Sequence, residues 1–198
     1  MVSTFGKVAT TKLAWGGKKN ESDYKIVKEI LTEFELIVDS CEQSIEKPGE
    51  YQEQKKHYSG KKKKHTKKNQ LIVLPNGKDI VDVVAGKPGQ KSDVKLFRES
   101  RKGFEKNQKF NGDKAYEGEE LTKTPHKKPK KQELTSEQKA RNKELASERI
   151  FVEHLIRLVK IFRVAKERFR LKLSKYEQII MTICGLVRLR IGTFVLQT

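Results

Sequence analysis

Three carboxylates in this chain stand where separate structural elements could gather them. Asp39 follows the apolar run "LIV", Asp113 sits in "FNGD", and Glu153 sits in "RIFVEHLIRLVK". Carboxylate oxygens are the ligands of a hard cation such as Mg2+, which takes few of them and fills its shell with water and substrate phosphate. Two aspartates at strand ends and one glutamate on a helix are a set of that kind. Glu153 has company, because Arg149, Arg157 and Lys160 recur around it at helical spacing. On one helix, Glu153 and Arg157 make an i,i+4 pair worth only tenths of a kcal/mol, and a solvated charge ladder accounts for all four residues. Asp79, Asp82 and Asp93 are weaker candidates, two lying in or by a hairpin and one opening a helix.

Other chemistry finds little support. Cys41 and Cys184 lack metal-type spacing and read as reduced thiols. The four histidines form no H-x-x-x-H or His/Cys cluster, so zinc is not expected. No Ser/His/Asp or Cys/His arrangement offers a nucleophile. The charge balance is more telling: 44 Lys and Arg against 26 Asp and Glu give +18 over 198 residues. Such a balance points to a polyanion, nucleic acid before anionic membrane. Gln178 to Val187, the longest uncharged apolar stretch, is about half of a bilayer span, and no signal peptide opens the chain. The expected location is therefore cytoplasmic, on the nucleoid.

Lys55 to Lys68 holds eight lysines, two histidines and no acid. Lys61, Lys62, Lys63, Lys64 and His65 are candidates for sequence-independent phosphate contacts, unless the run is simply a solvated loop. Tyr58 could stack on a base or anchor the loop. A second basic loop, Lys123 to Lys131, carries prolines that keep it extended.

The elements that must position the acids follow from periodicity. Ser22 precedes a short helix with Ile26, Val27, Ile30, Leu31 and Phe34 on one face. "LIV" reads as a buried strand ending near Asp39. "NQLIVLPNGKDIVDVVAG" is a hairpin, two β-branched runs around Asn-Gly. Ser92 and Asp93 start a helix built on Val94, Leu96 and Phe97, and "KFNGDKAYEG" holds a short strand running into Asp113. Thr135 and Gln138 form a capping box opening a long helical stretch to about Leu173, with a break. Within it Phe151, Leu155, Leu158, Phe162, Ala165 and Phe169 make one apolar stripe, opposite Arg149, Glu153, Lys160 and Glu167. A last helix covers "SKYEQIIMTICGLVRLR". Strand, hairpin, helix, strand and long helices predict an α/β fold with a mixed sheet.

Four stretches carry a resemblance: "LIVDSCEQSIEKP", "YSGKKKKHTKKNQLIVLPNGKDIVDVVAGKPGQKSD", "FNGDKAYEG" and "RIFVEHLIRLVKIFR". From about Phe34 to Gly192 the chain resembles bacterial insertion-sequence transposases of the DDE superfamily, in the group similar to Harbinger-like transposases. Arg149, Glu153 and Lys160 match the R-x3-E-x6-K part of that family's signature; the tyrosine usual three residues before the arginine is Ala146 here.

The resemblance implies a ribonuclease-H-like mixed sheet flanked by helices over residues 34–198, with Asp39, Asp113 and Glu153 as catalytic, metal-binding triad. It implies two divalent ions, Mg2+ or Mn2+, cleavage and strand transfer of double-stranded DNA, and a homodimer on paired ends. Lys160 and Arg149 would contact DNA or orient the glutamate, with Arg157, Tyr58, Lys61–Lys64 and His65 supporting. Residues 1–33 are expected to be poorly ordered with one short helix, too short for the N-terminal end-recognition domain of related transposases. Two rivals stay open: a catalytically inactive DNA-binding remnant, and a hydrolytic nuclease of the same fold.

Overall fold

The computed structural model describes residues 21–129 and 133–195. The expectation of poor order for residues 1–20, and residues 130–132 of the second basic loop, lie outside them. The elements in chain order are α1 (Glu21–Leu31), β1 (Leu36–Ser44), α2 (Tyr51–His57), β2 (Tyr58–Ser59), β3 (Lys64–Val73), β4 (Ile80–Pro88), α3 (Asp93–Arg101), β5 (Phe110–Asn111), β6 (Thr122–Lys123), α4 (Ser136–Val159), α5 (Arg163–Lys166) and α6 (Tyr176–Val195).

The β-branched runs pair as their alternation requires. β1 lies antiparallel to β3, with Ile37 opposite Val73 and Ser44 opposite Thr66, and β3 lies antiparallel to β4. β5 joins the other edge of β1 in parallel, and β6 follows β5 in parallel. The result is the expected mixed sheet, six-stranded and helix-flanked, in keeping with a ribonuclease-H-like fold.

Because side chains alternate across a strand, β1 feeds two cores. Ile37 and Ile45 pack with Leu71, Val73, Val152, Leu155, Val159, Ile180 and Val187 under α4 and α6. Leu36 and Val38 pack with Val27, Leu31, Phe97, Phe110 and Tyr116 under α1 and α3. The Phe97 ring stands edge-on to Phe110 at 4.9 Å and to Tyr116 at 5.5 Å. Local signals behave as read at Ser92, which accepts the Lys95 amide, and at Thr135 and Gln138, whose reciprocal capping box is complete.

Four expectations need correction. Ser22 lies inside α1 rather than before it. Asp39 does not end its strand, because β1 continues to Ser44. The hairpin turn is wider than a two-residue loop. A single 3-10 turn, Pro75–Gly77, holds Asn76 and Gly77 at positive φ, and the Leu74 amide donates to the Asp79 carbonyl at 2.9 Å.

The long helix stops at Val159, so the expected stripe forms one helical face only through Leu158: Leu155 is buried, and Phe151 and Leu158 are partly buried beside Val152, Ile156 and Val159. Beyond it the chain is claimed by β1. Gln43 donates through Nε2 to the carbonyls of Val164 and Glu167, and the Phe169 amide donates to the Ser44 carbonyl. β5 is too short to cover that edge of β1, so Phe169 bridges Ile45 there in parallel. Phe162 is left exposed, while Phe169 is buried by extended chain.

Candidate active site

Asp39 owes its position to the alternation of β1. It shares a face with Ile37, Cys41 and Gln43, the face that α4 covers. Its Oδ1 accepts the Ser40 amide at 2.8 Å, which leaves its second oxygen available. Asp113 reaches the same place from the next strand. β5 pairs with β1 in parallel, Leu36 with Phe110 and Ile37 with Asn111, and Asp113 lies two residues past its end, where its charge reaches Asp39.

Beyond Asn111 the chain leaves the ladder and Asp113 caps the 3-10 turn Lys114–Tyr116, its Oδ1 accepting the Ala115 amide at 2.8 Å. Gly112 permits this. A Cβ there would lie 2.7 Å from Tyr116 Cδ2, inside van der Waals contact.

α4 supplies the third acid. Glu153 is exposed on the helix and forms no ion pair or hydrogen bond with a described residue, and the same holds for Arg157. The ladder of neutralised pairs is therefore not formed. Arg149, one turn earlier, is half-buried, and its Nε is buried without a hydrogen-bond partner among the described residues. Lys160 forms the C-cap of α4. Its ammonium lies near enough to Cys41 to pull that thiol's pKa down, against a larger rise from burial.

The electrostatics tie these groups together. Burial pushes the Asp39 carboxyl from 3.8 to about 6. The Ser40 amide and the Arg149 guanidinium oppose the rise, and the charges of Asp113 and Glu153 add to it. The charges of Asp113, Glu153 and Arg149 thus all reach Asp39, although the four come from a strand, a loop and a helix.

Among the described residues no three His, Cys, Asp or Glu side chains stand close enough to enclose a metal ion. Like charges spread apart when nothing neutralises them. The donor set nevertheless suits a hard divalent cation: three carboxylates, two of them pinned by one oxygen to backbone amides. The orphaned Arg149 Nε suits an anionic oxygen such as a phosphate.

The structure also separates residues that the sequence groups together. Lys61–Lys63 form the exposed turn between β2 and β3, and Lys64 opens β3. Leu71 faces Asp39 across the ladder, so Lys64 lies roughly 23 Å away along the strand. Tyr58 is 46% exposed and stands edge-on to His65 at 5.6 Å, which fits neither alternative exclusively.

Lys67 and Lys68 leave the basic run altogether. Lys68 Nζ is buried against Asp93 at 2.9 Å and donates to the Lys91 carbonyl. Lys67 Nζ donates to the Gly86 carbonyl over the Tyr176 ring. A solvated loop is therefore the wrong description of the whole run, since alternation in β3 sends Lys68 to the Asp93 face and Lys67 to the Tyr176 face, and both faces are covered. Asp79 is held at 2.6 Å by both arms of Arg188, away from the acids of the site.

Two contributors were not legible in advance. Asn111, fully buried, donates to Glu148 Oε2 at 2.6 Å while its Oδ1 has no described partner. Tyr116 sits under Gly112 with its hydroxyl 3.3 Å from Gln70 Nε2. The two-residue offset of Asn111 from Asp113 was the only available signal.

A family model described as a DDE superfamily endonuclease matches residues 38–188. The probable transposase for insertion sequence element IS702 of Microchaete diplosiphon is 36% identical over 167 residues, covering 82% of this chain. The chain spans 58% of that relative's length. No solved structure matches.

Proposed function

The chain belongs to the DDE superfamily endonucleases, and from that premise we propose that Asp39, Asp113 and Glu153 are its catalytic carboxylates, acting on double-stranded DNA during transposition. One observation carries the assignment: the charges of Asp113 from the β5 loop and Glu153 from α4 both reach Asp39 of β1, beside an Arg149 nitrogen buried without a partner among the described residues.

When bound, a pair of divalent cations, Mg2+ or Mn2+, would supply a Lewis-acid clamp on the attacking and leaving oxygens of an in-line displacement at phosphorus. Asp39 and Asp113 each have one oxygen fixed by a backbone amide, so the other is directed rather than free to rotate. Glu153, exposed and unpaired, closes the set from the helix side. Arg149 and Lys160 flank it and hold non-bridging phosphate oxygens, which orients the scissile bond and offsets its charge. Arg157 extends the contact outward.

The same arrangement serves hydrolysis by water and joining by a DNA 3′-hydroxyl, since both are displacements at a phosphodiester. Strand transfer is the reading that the transposase relative supports, and two copies on paired ends belong to the same proposal. Nicking of supercoiled plasmid with Mg2+ or Mn2+, native protein against Asp113→Asn at matched DNA binding, tests the assignment. Loss of nicking in the variant is expected; equal nicking by both would sink it. A pre-cut duplex with a 3′-hydroxyl then distinguishes joining from hydrolysis alone.

A further inference from the structure

The chain between Lys160 and Lys175 holds seven Lys or Arg and one acid, Glu167. It is no longer part of the long helix. It runs as a strap along β1, on the face that carries Asp39, and its attachments fix the order. Lys160 caps α4, Gln43 holds the Val164 and Glu167 carbonyls, and Phe169 bridges Ile45. At about 3.3 Å per residue, Gln43 and Ile45 lie roughly 13 and 20 Å from Asp39. The strap therefore lays out cations in a line that begins at the acids and leads away from them.

Its inward residues, Ala165 and Phe169, are buried, while Arg163, Lys166, Arg168, Arg170 and Lys172 are exposed. Among the described residues, acids engage two of these cations: Glu167 pairs with Arg163 at 2.9 Å and Glu46 with Arg168 at 4.0 Å. Both pairs are surface pairs that a phosphate can displace at little cost. The far end of the strap meets a second basic group. The Ile45 amide donates to the His65 carbonyl, so the Lys61–Lys64 turn flanks the end of β1 where Phe169 docks.

We propose that Arg163, Lys166, Arg168, Arg170 and Lys172 form a binding track for the phosphates of duplex DNA on one side of the scissile bond. The Phe169 attachment lies roughly 20 Å from Asp39, which corresponds to about six base pairs from the scissile bond. The track rests on the proposed catalytic site for its orientation, but its binding does not need cleavage. The full-length chain carrying Arg168→Ala, Arg170→Ala and Lys172→Ala is compared with native protein on a 30-bp duplex, without divalent metal, over a salt series. The slope of log K against log salt should fall by about 2–3, since each lost phosphate contact removes about 0.9. Arg168→Lys with Arg170→Lys should keep the native slope, and unchanged thermal melting shows that the fold survives.

With Mg2+ or Mn2+, native protein should place no nick within about six base pairs of one duplex end, and the alanine variant should lose that exclusion. An unchanged slope, or an equal strap-dependent slope for single-stranded DNA, RNA duplex or anionic vesicles, overturns the track. A lost slope with no nicking by any variant upholds the track and overturns the catalytic reading instead.

Discussion

Asp39 lies on β1, and Asp113 lies two residues past the end of β5, the strand that pairs with β1 in parallel, where its charge reaches Asp39. Two acids so placed repel each other, and the buried one responds: Asp39 is raised to about 6, with burial the larger cause and Asp113 a contributor. A site that costs stability when nothing neutralises it is the signature expected of groups kept for binding.

The pH dependence follows from that shift. Between the usual 3.8 and about 6 the folded protein keeps a proton on Asp39 that the unfolded chain releases. Stability should therefore fall as pH rises through that window, by up to about 3 kcal/mol from this group, and stay lower above it. Asp39→Asn should be more stable than native at neutral pH, with the difference closing near pH 4. Denaturant titrations at the two pH values check this, and a native protein equally stable at both would contradict it.

Asp113→Asn retains the side-chain oxygen that caps the 3-10 turn, so its fold should be kept within about 1 kcal/mol. Metal-dependent nicking should fall on the order of 10²-fold or more, the scale of a group that acts in the transition state. Plasmid nicking and thermal melting on one preparation separate the two effects.

Gly112→Ala puts a methyl group 2.7 Å from the Tyr116 ring, and both the ring and the Asp113 loop must give way. The expected cost is about 1–3 kcal/mol. Nicking should drop further than DNA affinity does, because the lysines of the β2–β3 turn are untouched. Affinity falling in step with nicking would argue against Gly112 acting through Asp113.

The basic run should divide by function. Lys68→Ala leaves Asp93 without its buried partner and should destabilise by about 3–5 kcal/mol. Lys61→Ala and Lys63→Ala, both exposed, should leave melting unchanged and lower the salt slope of DNA binding by about 1 each. Denaturation and salt-dependent affinity measured on the three variants test the division.

Much of this was legible in the residues themselves. Local signals act over a few positions, so the Thr135 capping box, the Asn-Gly turn and the alternating β-branched runs declare their elements without help from distant chain. The three acids could be named because each stands beside a recognisable run, and because Arg149, Glu153 and Lys160 keep helical spacing. What periodicity could not decide was where long-range partners override it. The apolar stripe from Phe151 to Phe169 continues in helical phase, yet the open edge of β1 and the Gln43 amide draw residues 164–169 into a strap of one short helix, α5, and an extended stretch that ends at Phe169. Eight lysines read alike in a row, and only the pairing of β3 turns Lys68 inward to Asp93 while leaving Lys61–Lys63 in solvent. The sequence by itself determined most of the elements, the candidate acids and the excess of positive charge. The tertiary structure decided which acids share a field and where the cations point, because both depend on strand register and on competition for one sheet edge.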